Sequence, residues 1–421
     1  MVNSTGRNGH NNGHIPPEDQ LVAALHKYAV EGIPQKARLQ RLSKELGYHI
    51  RLTKLGELNK KYNVPSVRKP PPAPVARTLI NGAMAADTSR LNGPNSIRQT
   101  IAMQGYRIPR DTVRKVMHEE DPLGFDLRQP GTKRVINRKP LTSIGILHEV
   151  SCDGHEKFSK KALDMGEVGI DVYGMRDKCS GKALSMRAVP NARKEAVVVH
   201  LYLDLAEEVG AIPMQLTIDK GSETGLMCDV HATLRNRYAP HLDIDQWPPY
   251  MAMTSTRNIR IENMWSRLRK YTGINIADVL KEGKTNQYFN PNNPVHVNLF
   301  QWLWPPIVQE KLDEFAMYWN THHVRKQDES NLPSGAPPNH IFEMHDVYGF
   351  PSVHIPVPQE AIAEMREQLP LTREDAFRWV SDDFADHAQS IYEELGSPLR
   401  AIHSGWEIFA MMAPRLQEMY L

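Results

Sequence analysis

Hydrophobic positions change their spacing along the chain, which divides it into a helical first part, a mixed middle part and a helical end. From about residue 17 to residue 69, apolar residues recur every three to four positions, as they do on one face of a helix. This spacing predicts three helices, with Gly47 in a break and Thr53 as the N-cap of the third. A helix, a short glycine turn and a further helix are typical of a helix-turn-helix unit.

The same plan returns over residues 93–120, where two helical patterns flank a turn at Gly105. Arg110, Arg114 and Lys115 lie near the start of the second helix, from which such a unit reaches the major groove or its phosphates. A small helical bundle with a basic surface is the alternative. The prolines that precede this unit predict an extended linker over residues 70–90.

From residue 147 onward the pattern is mixed, with apolar runs typical of strands between longer helical patterns. The order is three strands, helix, strand, helix, strand, helix, which predicts an α/β core with a mixed five-stranded sheet and flanking helices. In such a sheet the first and fourth strands can lie side by side. The predicted elements are strands at 147–153, 168–176, 182–189, 214–219 and 250–255, and helices at 191–209 (capped by Asn191), 223–238 and 258–271.

Three acids stand where this arrangement would bring them together. Asp153 and Asp219 each end a predicted strand, and Glu262 lies in the first turn of a predicted helix. Converging carboxylates repel one another and lose solvent, and a pair of Mg²⁺ ions would remove that cost. Two such ions can activate a water or a 3′-hydroxyl and stabilise a leaving phosphodiester oxygen. Taken singly, an acid at a strand end is more often a solvated turn residue.

Charge divides the chain into a basic first part and an acidic remainder. Counting Lys and Arg against Asp and Glu, the net charge is +13 for residues 1–140 and −11 for residues 141–421. A basic arm favours a partner with phosphates, although a solvated basic surface would give the same count. No apolar run is long enough to span a membrane, and the first residues lack the apolar segment of a secretion signal. Three widely spaced cysteines predict reduced thiols.

Several stretches, taken in order, resemble the integrase and transposase family with a retroviral-type catalytic core, and most of all the integrase-core proteins of fungal genomes. The resemblance covers roughly residues 90–345. The stretches that carry it are Ser-Cys-Asp-Gly-His-Glu-Lys (151–157), Tyr-Gly-Met-Arg-Asp (173–177), Ser-Gly-Lys (180–182), Thr-Ile-Asp-Lys-Gly-Ser-Glu (217–223), Asn-Ile-Arg-Ile-Glu-Asn-Met-Trp-Ser-Arg-Leu-Arg (258–269), Tyr-Trp-Asn-Thr-His-His (318–323) and Pro-Ser-Gly-Ala-Pro-Pro (333–338).

The resemblance implies an RNase H-like fold in which Asp153, Asp219 and Glu262 are catalytic carboxylates and ligands of two Mg²⁺ or Mn²⁺ ions. It also implies that the partner is double-stranded DNA, both as element ends and as target. A homo-oligomer on DNA and a nuclear location are further implications. The basic residues with which the family holds DNA correspond to Arg267, Arg269 and Lys270, for which a solvated helix end is the alternative. Lys220 stands where the family often has Asn, so a local hydrogen bond is expected to differ.

Together these patterns predict a polar, disordered tail, two helix-turn-helix-like regions, a catalytic core and an acidic helical C-terminal region. The predicted domains are 1–17 (tail), 18–69 (helix-turn-helix), 70–90 (linker), 91–140 (second helix-turn-helix), 141–345 (core) and 346–421 (C-terminal helices).

Three functions remain open on the sequence. The first is a DNA integrase or transposase that cuts a DNA end and transfers the freed strand. The second is a domesticated, catalytically inactive DNA-binding protein that keeps the fold. The third is a nuclease of the RNase H type, against which the helix-turn-helix arm argues.

Overall fold

The structure is a computed structural model of the 421-residue chain that describes residues 15–122, 124, 141–219, 221–253, 258–327 and 330–420. Two compact units divide it. The first comprises residues 1–141 and 317–349, and the second comprises residues 142–316 and 350–421, each within the described ranges. Most of the tail predicted over residues 1–17 lies outside those ranges, and so does Lys220. The predicted domain boundaries divide the chain in another way and stay predictions.

Helices build the first part of the first unit over the residues described there, as the spacing of apolar residues predicts. Two small cores hold them, one among the first three helices around Leu25 and Leu55, and one among the next three around Ile80 and Ile101. Gly47 ends the second helix in the left-handed region, where a side chain would be strained. The six helices of the described residues up to 122 are α1 (Glu18–Val30), α2 (Gln35–Leu46), α3 (Leu52–Lys61), α4 (Ala73–Ala85), α5 (Pro94–Met103) and α6 (Arg110–Glu120).

Two sequence predictions for this unit are wrong. The segment predicted as an extended linker over 70–90 contains α4, whose Ile80 is fully buried in the second core. Prolines are tolerated in a first helical turn, so the proline-rich stretch leads into a helix here. The third helix begins at Leu52 with Arg51 in the cap position, so Thr53 lies inside it and caps nothing.

A mixed five-stranded sheet forms the centre of the second unit, in the order β3-β2-β1-β5-β6, and confirms the predicted fold class. β1 runs antiparallel to β2 and parallel to β5, so the first and fourth strands of the predicted order are neighbours. β2 pairs with β3 antiparallel, and β5 pairs with β6 parallel. The strands are β1 (Glu149–His155), β2 (Asp171–Asp177), β3 (Ala183–Val189), β5 (Gln215–Asp219) and β6 (Tyr250–Met253).

Details of this unit depart from the prediction in three places. β1 continues two residues past Asp153, because β2 is long enough to pair with it as far as His155. The helix predicted from Asn191 begins at Glu195; Asn191 Oδ1 instead accepts a hydrogen bond from the Arg193 amide at 2.8 Å. A short pair of strands, β4 (Ala211–Ile212) and β7 (Ile355–Pro356), was not predicted.

The remaining helices flank the sheet or follow it, and a π-helix over Arg269–Gly273 joins two of them. The acidic C-terminal region is helical, as predicted. The remaining α-helices of the described residues are α7 (Lys160–Leu163), α8 (Glu195–Val209), α9 (Gly225–Tyr238), α10 (Ile259–Leu268), α11 (Ile274–Thr285), α12 (Pro294–Thr321), α13 (Pro338–Glu343), α14 (Gln359–Glu367), α15 (Arg373–Ala376), α16 (Asp382–Glu394) and α17 (Gly405–Tyr420). Among the described residues, no helix combines the length and the apolar character that crossing a membrane requires.

The chain returns to the first unit after the sheet. Within that unit, the Tyr318 hydroxyl lies 3.1 Å from Ser96 Oγ, and Gln99 Nε2 donates to Thr321 Oγ1 at 2.8 Å. On α13, Asn339 Nδ2 donates to the buried carboxylate of Glu31 at 3.0 Å. Residues 317–349 therefore supply polar partners to helices that lie some 200 to 300 positions earlier in the sequence.

Candidate active site

Asp153 and Asp219 occupy equivalent positions on two neighbouring parallel strands. The β1–β5 pairs run from Glu149↔Gln215 to Ser151↔Thr217, and the partners are always 66 residues apart. The two aspartates are also 66 residues apart (219 − 153), two positions beyond the last pair. Because side chains alternate between faces along a strand, the carboxylates lie on the same face of the sheet. Cys152, whose side chain takes the opposite face, is fully buried, as predicted.

Burial and mutual repulsion raise the pKa values of the predicted carboxylates. Burial is the largest cause, with the charges of Asp219 and Glu262, of a pKa of Asp153 that is raised to about 7. The pKa of Asp219 is raised by burial and by Glu223. Glu262, in the exposed first turn of α10, has its pKa raised by burial and by Asp219, while Lys157 acts in the opposite direction.

The three carboxylates are therefore within electrostatic range of one another. They are not drawn together as ligands: among the described residues, no three His, Cys, Asp or Glu side chains form a group close enough to hold a metal ion. Asp219 Oδ1 is buried and has no hydrogen-bond partner in the described chain. Since buried carboxylate oxygens without partners are costly and hard divalent cations prefer such oxygens, this donor set fits Mg²⁺ or Mn²⁺.

Trp265 holds Asp153 in one orientation, a contact that the sequence did not reveal. Its Nε1 donates to Asp153 Oδ2 at 2.9 Å, and this bond opposes the rise in the pKa of the carboxyl group. The indole ring lies against Gly174, the residue paired with Asp153 on β2; a Cβ there would be 2.5 Å from Trp265 Cη2. Any larger residue at position 174 would therefore displace the ring that binds Asp153. A glycine inside a strand was the signal for this close approach.

His155 packs against the face of the Trp265 indole ring. Its imidazole stacks on Trp265 at 4.9 Å between centroids, with an interplanar angle of 23°. Burial lowers the pKa of His155 to about 4, helped by Lys157 and Arg269, so the side chain is neutral near pH 7. These contacts favour a role in packing Trp265 over a role in proton transfer.

A second pair of residues, the half-buried Arg260 and the buried Arg176, anchors the helix that carries Glu262. Arg260, in the first turn of α10, donates from Nε to Lys178 O at 3.0 Å and from Nη2 to Cys179 O at 3.3 Å. The guanidinium of Arg176 on β2 donates in turn to the carbonyl oxygen of Arg260. Hydrogen bonds donated in both directions thereby connect the β2–β3 region to the helix turn that contains Glu262.

The turn between β2 and β3 is itself held by a buried acid, Asp177. Asp177 accepts hydrogen bonds from the Leu147 amide at 2.9 Å and from the amide and hydroxyl of Ser180 at 2.6 Å each. Its charge raises the pKa of Arg260, against the lowering caused by burial. The sequence offered a signal in Arg176-Asp177 followed by Ser180-Gly181, which puts two charged residues into a strand and a tight turn.

The predicted DNA-contacting residues are surface groups in both units. Arg110, Arg114 and Lys115 are exposed on α6 of the first unit. Arg267, Arg269 and Lys270 are exposed on α10 and the π-helix that follows it. Arg269 is close enough to His155 to lower its pKa, so this basic group adjoins the carboxylates. π-helical turns recur at functional sites.

Comparison with protein families adds an independent observation. Residues 160–342 match the integrase core domain. The match spans 183 of the 421 residues; it includes Asp219 and Glu262 and begins seven positions after Asp153. Proteins with an integrase core domain are typically enzymes that use divalent metals and an Asp, Asp, Glu site to transfer DNA strands. No curated protein matches the chain.

We expect Trp265→Phe to raise the pKa of Asp153 further, because it removes the hydrogen bond that favours the charged carboxylate. A hydrogen bond to a charged group contributes about 1.5–3 kcal/mol, which corresponds to about one to two pH units. Carboxyl ¹³C NMR titration of the metal-free protein measures the shift. Trp302→Phe, elsewhere in the same unit, is the matched control and should leave Asp153 unchanged. An unaltered titration in Trp265→Phe would contradict the assigned contact.

Proposed function

We propose that the chain is an integrase- or transposase-like enzyme that transfers DNA strands at a site formed by Asp153, Asp219 and Glu262. The observation that supports the proposal is the pair of aspartates at equivalent positions on neighbouring parallel strands, with raised pKa values and with Glu262 in electrostatic range. The match of residues 160–342 to the integrase core domain supports the same reaction class.

In this proposal the three carboxylates would hold two Mg²⁺ or Mn²⁺ ions, which would neutralise charges that now repel one another. When bound, the ions supply positive charge to an attacking oxygen and to the leaving oxygen of a phosphodiester. Trp265 keeps the Asp153 carboxylate turned towards the site, and the Arg260 anchor fixes the helix turn of Glu262. Rigid support of this kind sets the geometry that in-line displacement requires.

Two displacements at phosphorus make up the reaction. In the first, a water oxygen bonds to phosphorus at the element end, and the bond from phosphorus to the bridging 3′ oxygen breaks, leaving a free 3′-hydroxyl. In the second, that hydroxyl oxygen attacks a phosphorus of the target strand, and the target's own 3′ oxygen leaves. The first step is a hydrolysis. In the second step one phosphodiester bond forms as another breaks, so that step needs no external energy source.

Double-stranded DNA is the proposed partner of both units. Arg267, Arg269 and Lys270, beside the carboxylates, would contact the DNA backbone near the reacting phosphodiester. Arg110, Arg114 and Lys115 on α6 would contact the element ends. We further propose a homo-oligomer on DNA, since joining two ends to one target calls for more than one active site. A nuclear location is proposed on the resemblance to eukaryotic integrase-core proteins alone.

A strand-transfer assay tests the proposal. We expect a joined product when full-length protein is incubated with Mg²⁺ or Mn²⁺, a supercoiled plasmid and a labelled duplex. The duplex carries the sequence of the genomic DNA that flanks the gene. Asp153→Asn should reduce it more than about 100-fold, since even indirect partners of a metal ligand contribute 10- to 100-fold. Asp278→Asn, an exposed acid on α11, is the matched control and should retain the product. Joining that survives Asp153→Asn would refute the proposed site.

A second function is a catalytically inactive DNA-binding protein that keeps the fold. The observation in its favour is that the three carboxylates do not form a tight ligand group within the described part of the chain. It predicts salt-sensitive DNA binding with neither product formation nor any effect of Mg²⁺ on thermal stability. The same assay, run beside a binding measurement, separates the two functions.

A further inference from the structure

Four arginines lie near one another in the first unit, and the residues that the structure describes there include no matching set of acids. Arg38 comes from α2, Arg98 from α5, Arg107 from the turn after α5, and Arg110 from the start of α6. We call these four residues the arginine cluster. They approach one another closely enough to alter one another's ionisation: Arg98 and Arg38 lower the pKa of Arg107, and Arg110 lowers that of Arg98.

Backbone carbonyl oxygens around the end of α1 fix two members of the cluster. Arg38 Nε donates to Ile33 O at 2.9 Å, and Arg107 Nη1 donates to Val30 O at 3.4 Å. The Arg107 guanidinium lies over Gly32, whose positive φ of 67° and missing Cβ leave room for it. Both guanidinium groups are thereby fixed against residues 30–33, so two members of the cluster have defined positions.

The other two members are held differently. Arg110 Nε donates to Asn95 Oδ1 on α5 at 3.1 Å, which aligns the starts of α5 and α6. Arg98 makes no hydrogen bond with any described residue, so its guanidinium is free to bind a ligand. On the same turn of α5, Gln99 Nε2 also donates to Val30 O, at 3.2 Å. The other three arginines therefore have defined positions without Arg98.

In the part of the chain that the structure describes, acids do not neutralise this charge. Within the described ranges, no carboxylate lies within ion-pair distance of Arg38, Arg98 or Arg107, and Arg110 approaches only the exposed Asp111, at 3.8 Å. Burial is the largest cause of the lowered pKa values of Arg38, Arg98 and Arg107. Half-buried positive charges that repel one another cost stability, and an anion bound between them would remove that cost.

We infer that the arginine cluster binds a phosphate of the DNA backbone. Guanidinium groups match phosphate geometry through paired hydrogen bonds, and they stay charged throughout the physiological pH range. Arg110 stands at the edge of the cluster and also begins α6, so the bound phosphate would place the duplex along that helix. The inference rests on the proposed function for the choice of DNA as ligand, and adds Arg38, Arg98 and Arg107 to the contact surface.

Arg98→Gln is the decisive variant because it removes a charge but no hydrogen bond to any residue that the structure describes. Binding of full-length protein to a fluorescein-labelled random duplex is measured by anisotropy at several NaCl concentrations. We expect affinity to fall about three- to tenfold, and the slope of log K against log salt to become shallower by about 1, the value of one phosphate contact. Arg107→Gln should act in the same direction. Lys281→Gln, which removes an exposed charge from the second unit, should change neither quantity.

Thermal stability separates binding from a structural role. Arg98→Gln relieves repulsion with its neighbours, so its Tm should equal or exceed that of the wild type, and sulfate should raise the wild-type Tm more than chloride of equal ionic strength does. A lowered Tm with an unchanged salt slope would overturn the inference. Polyglutamate binding that depends on Arg98 while DNA binding does not would also overturn it, by assigning the cluster to an acidic protein.

The outcomes for the two proposals are distinct. DNA binding whose slope depends on Arg98, without any joined product in the strand-transfer assay, supports the cluster and refutes the enzymatic proposal. Joined product together with an unaltered slope in Arg98→Gln supports the enzyme and refutes the cluster. A wild-type protein that binds no DNA refutes both.

Discussion

Asp153→Asn should make the metal-free protein more stable at pH 8, although the same change removes the proposed activity. Ionising a carboxyl group whose pKa is about 7, instead of its ordinary 3.8, costs up to about 4 kcal/mol at that pH. Asparagine cannot ionise, and its carbonyl oxygen can still accept the hydrogen bond from Trp265. We therefore expect a gain of about 2–4 kcal/mol in the free energy of unfolding.

The pH dependence gives the sign of this effect. The folded pKa lies above the unfolded one, so the contribution of Asp153 to stability is fully present below pH 3.8. It is lost as the pH rises from about 4 to about 7. The variant and the wild type should therefore have similar stability near pH 4 and diverge towards pH 8. Thermal and denaturant unfolding at both pH values measure the difference.

Metal supplies the second half of the test. Mg²⁺ should stabilise the wild type at pH 8, because it binds the folded carboxylates, and should have little effect on Asp153→Asn. Asp278→Asn is the matched control, since Asp278 is an exposed acid of the same unit. If Asp153→Asn is less stable than the wild type at pH 8, the carboxylates do not repel one another as described.

Arg260→Met should reduce the proposed strand transfer more than about 100-fold while lowering stability by only about 1–3 kcal/mol. The loss of hydrogen bonds to Lys178 O and Cys179 O leaves buried carbonyl oxygens unsatisfied, which destabilises the fold. The variant also removes a half-buried charge, whose pKa is lowered by burial more than the charge of Asp177 raises it. These two effects oppose each other, so stability changes less than the number of lost bonds suggests.

Activity has no such compensation, because Arg260 fixes the helix turn that carries Glu262. Arg187→Met, an exposed position on β3, is the matched control and should behave as the wild type. Circular dichroism and thermal unfolding establish that Arg260→Met is folded before its activity is measured. Normal strand transfer by a folded Arg260→Met protein would show that the anchor does not position the site.

Much of the architecture follows from the sequence because the relevant signals are local or periodic. The alternation of strand and helix patterns predicts the five-stranded sheet and the adjacency of its first and fourth strands, which in turn places Asp153 next to Asp219. The apolar faces of the N-terminal helices are equally periodic. Local signals fail where competing contacts decide, as at Asn191, whose side chain binds a turn amide instead of capping a helix.

The supports of the site depend on contacts that no local pattern encodes. Trp265 has the spacing of a core residue, and only the register of β1 against β2 shows that Gly174 opens a path for its indole to Asp153. Arg260 looks like any basic residue near a helix start until the turn between β2 and β3 is placed beside it. The sequence thus points to the carboxylates, whereas their positioning residues require the tertiary structure.

The return of the chain to the first unit has a consequence for translation. Neither unit is a continuous stretch of sequence: the first is complete only when residue 349 has been made, and the second only at the C-terminal helices. A nascent chain ending at residue 141 would lack Tyr318, Thr321 and Asn339, the partners of Ser96, Gln99 and Glu31. The helices that begin the chain must therefore wait for about 200 further residues, including the whole five-stranded sheet, before their last contacts form.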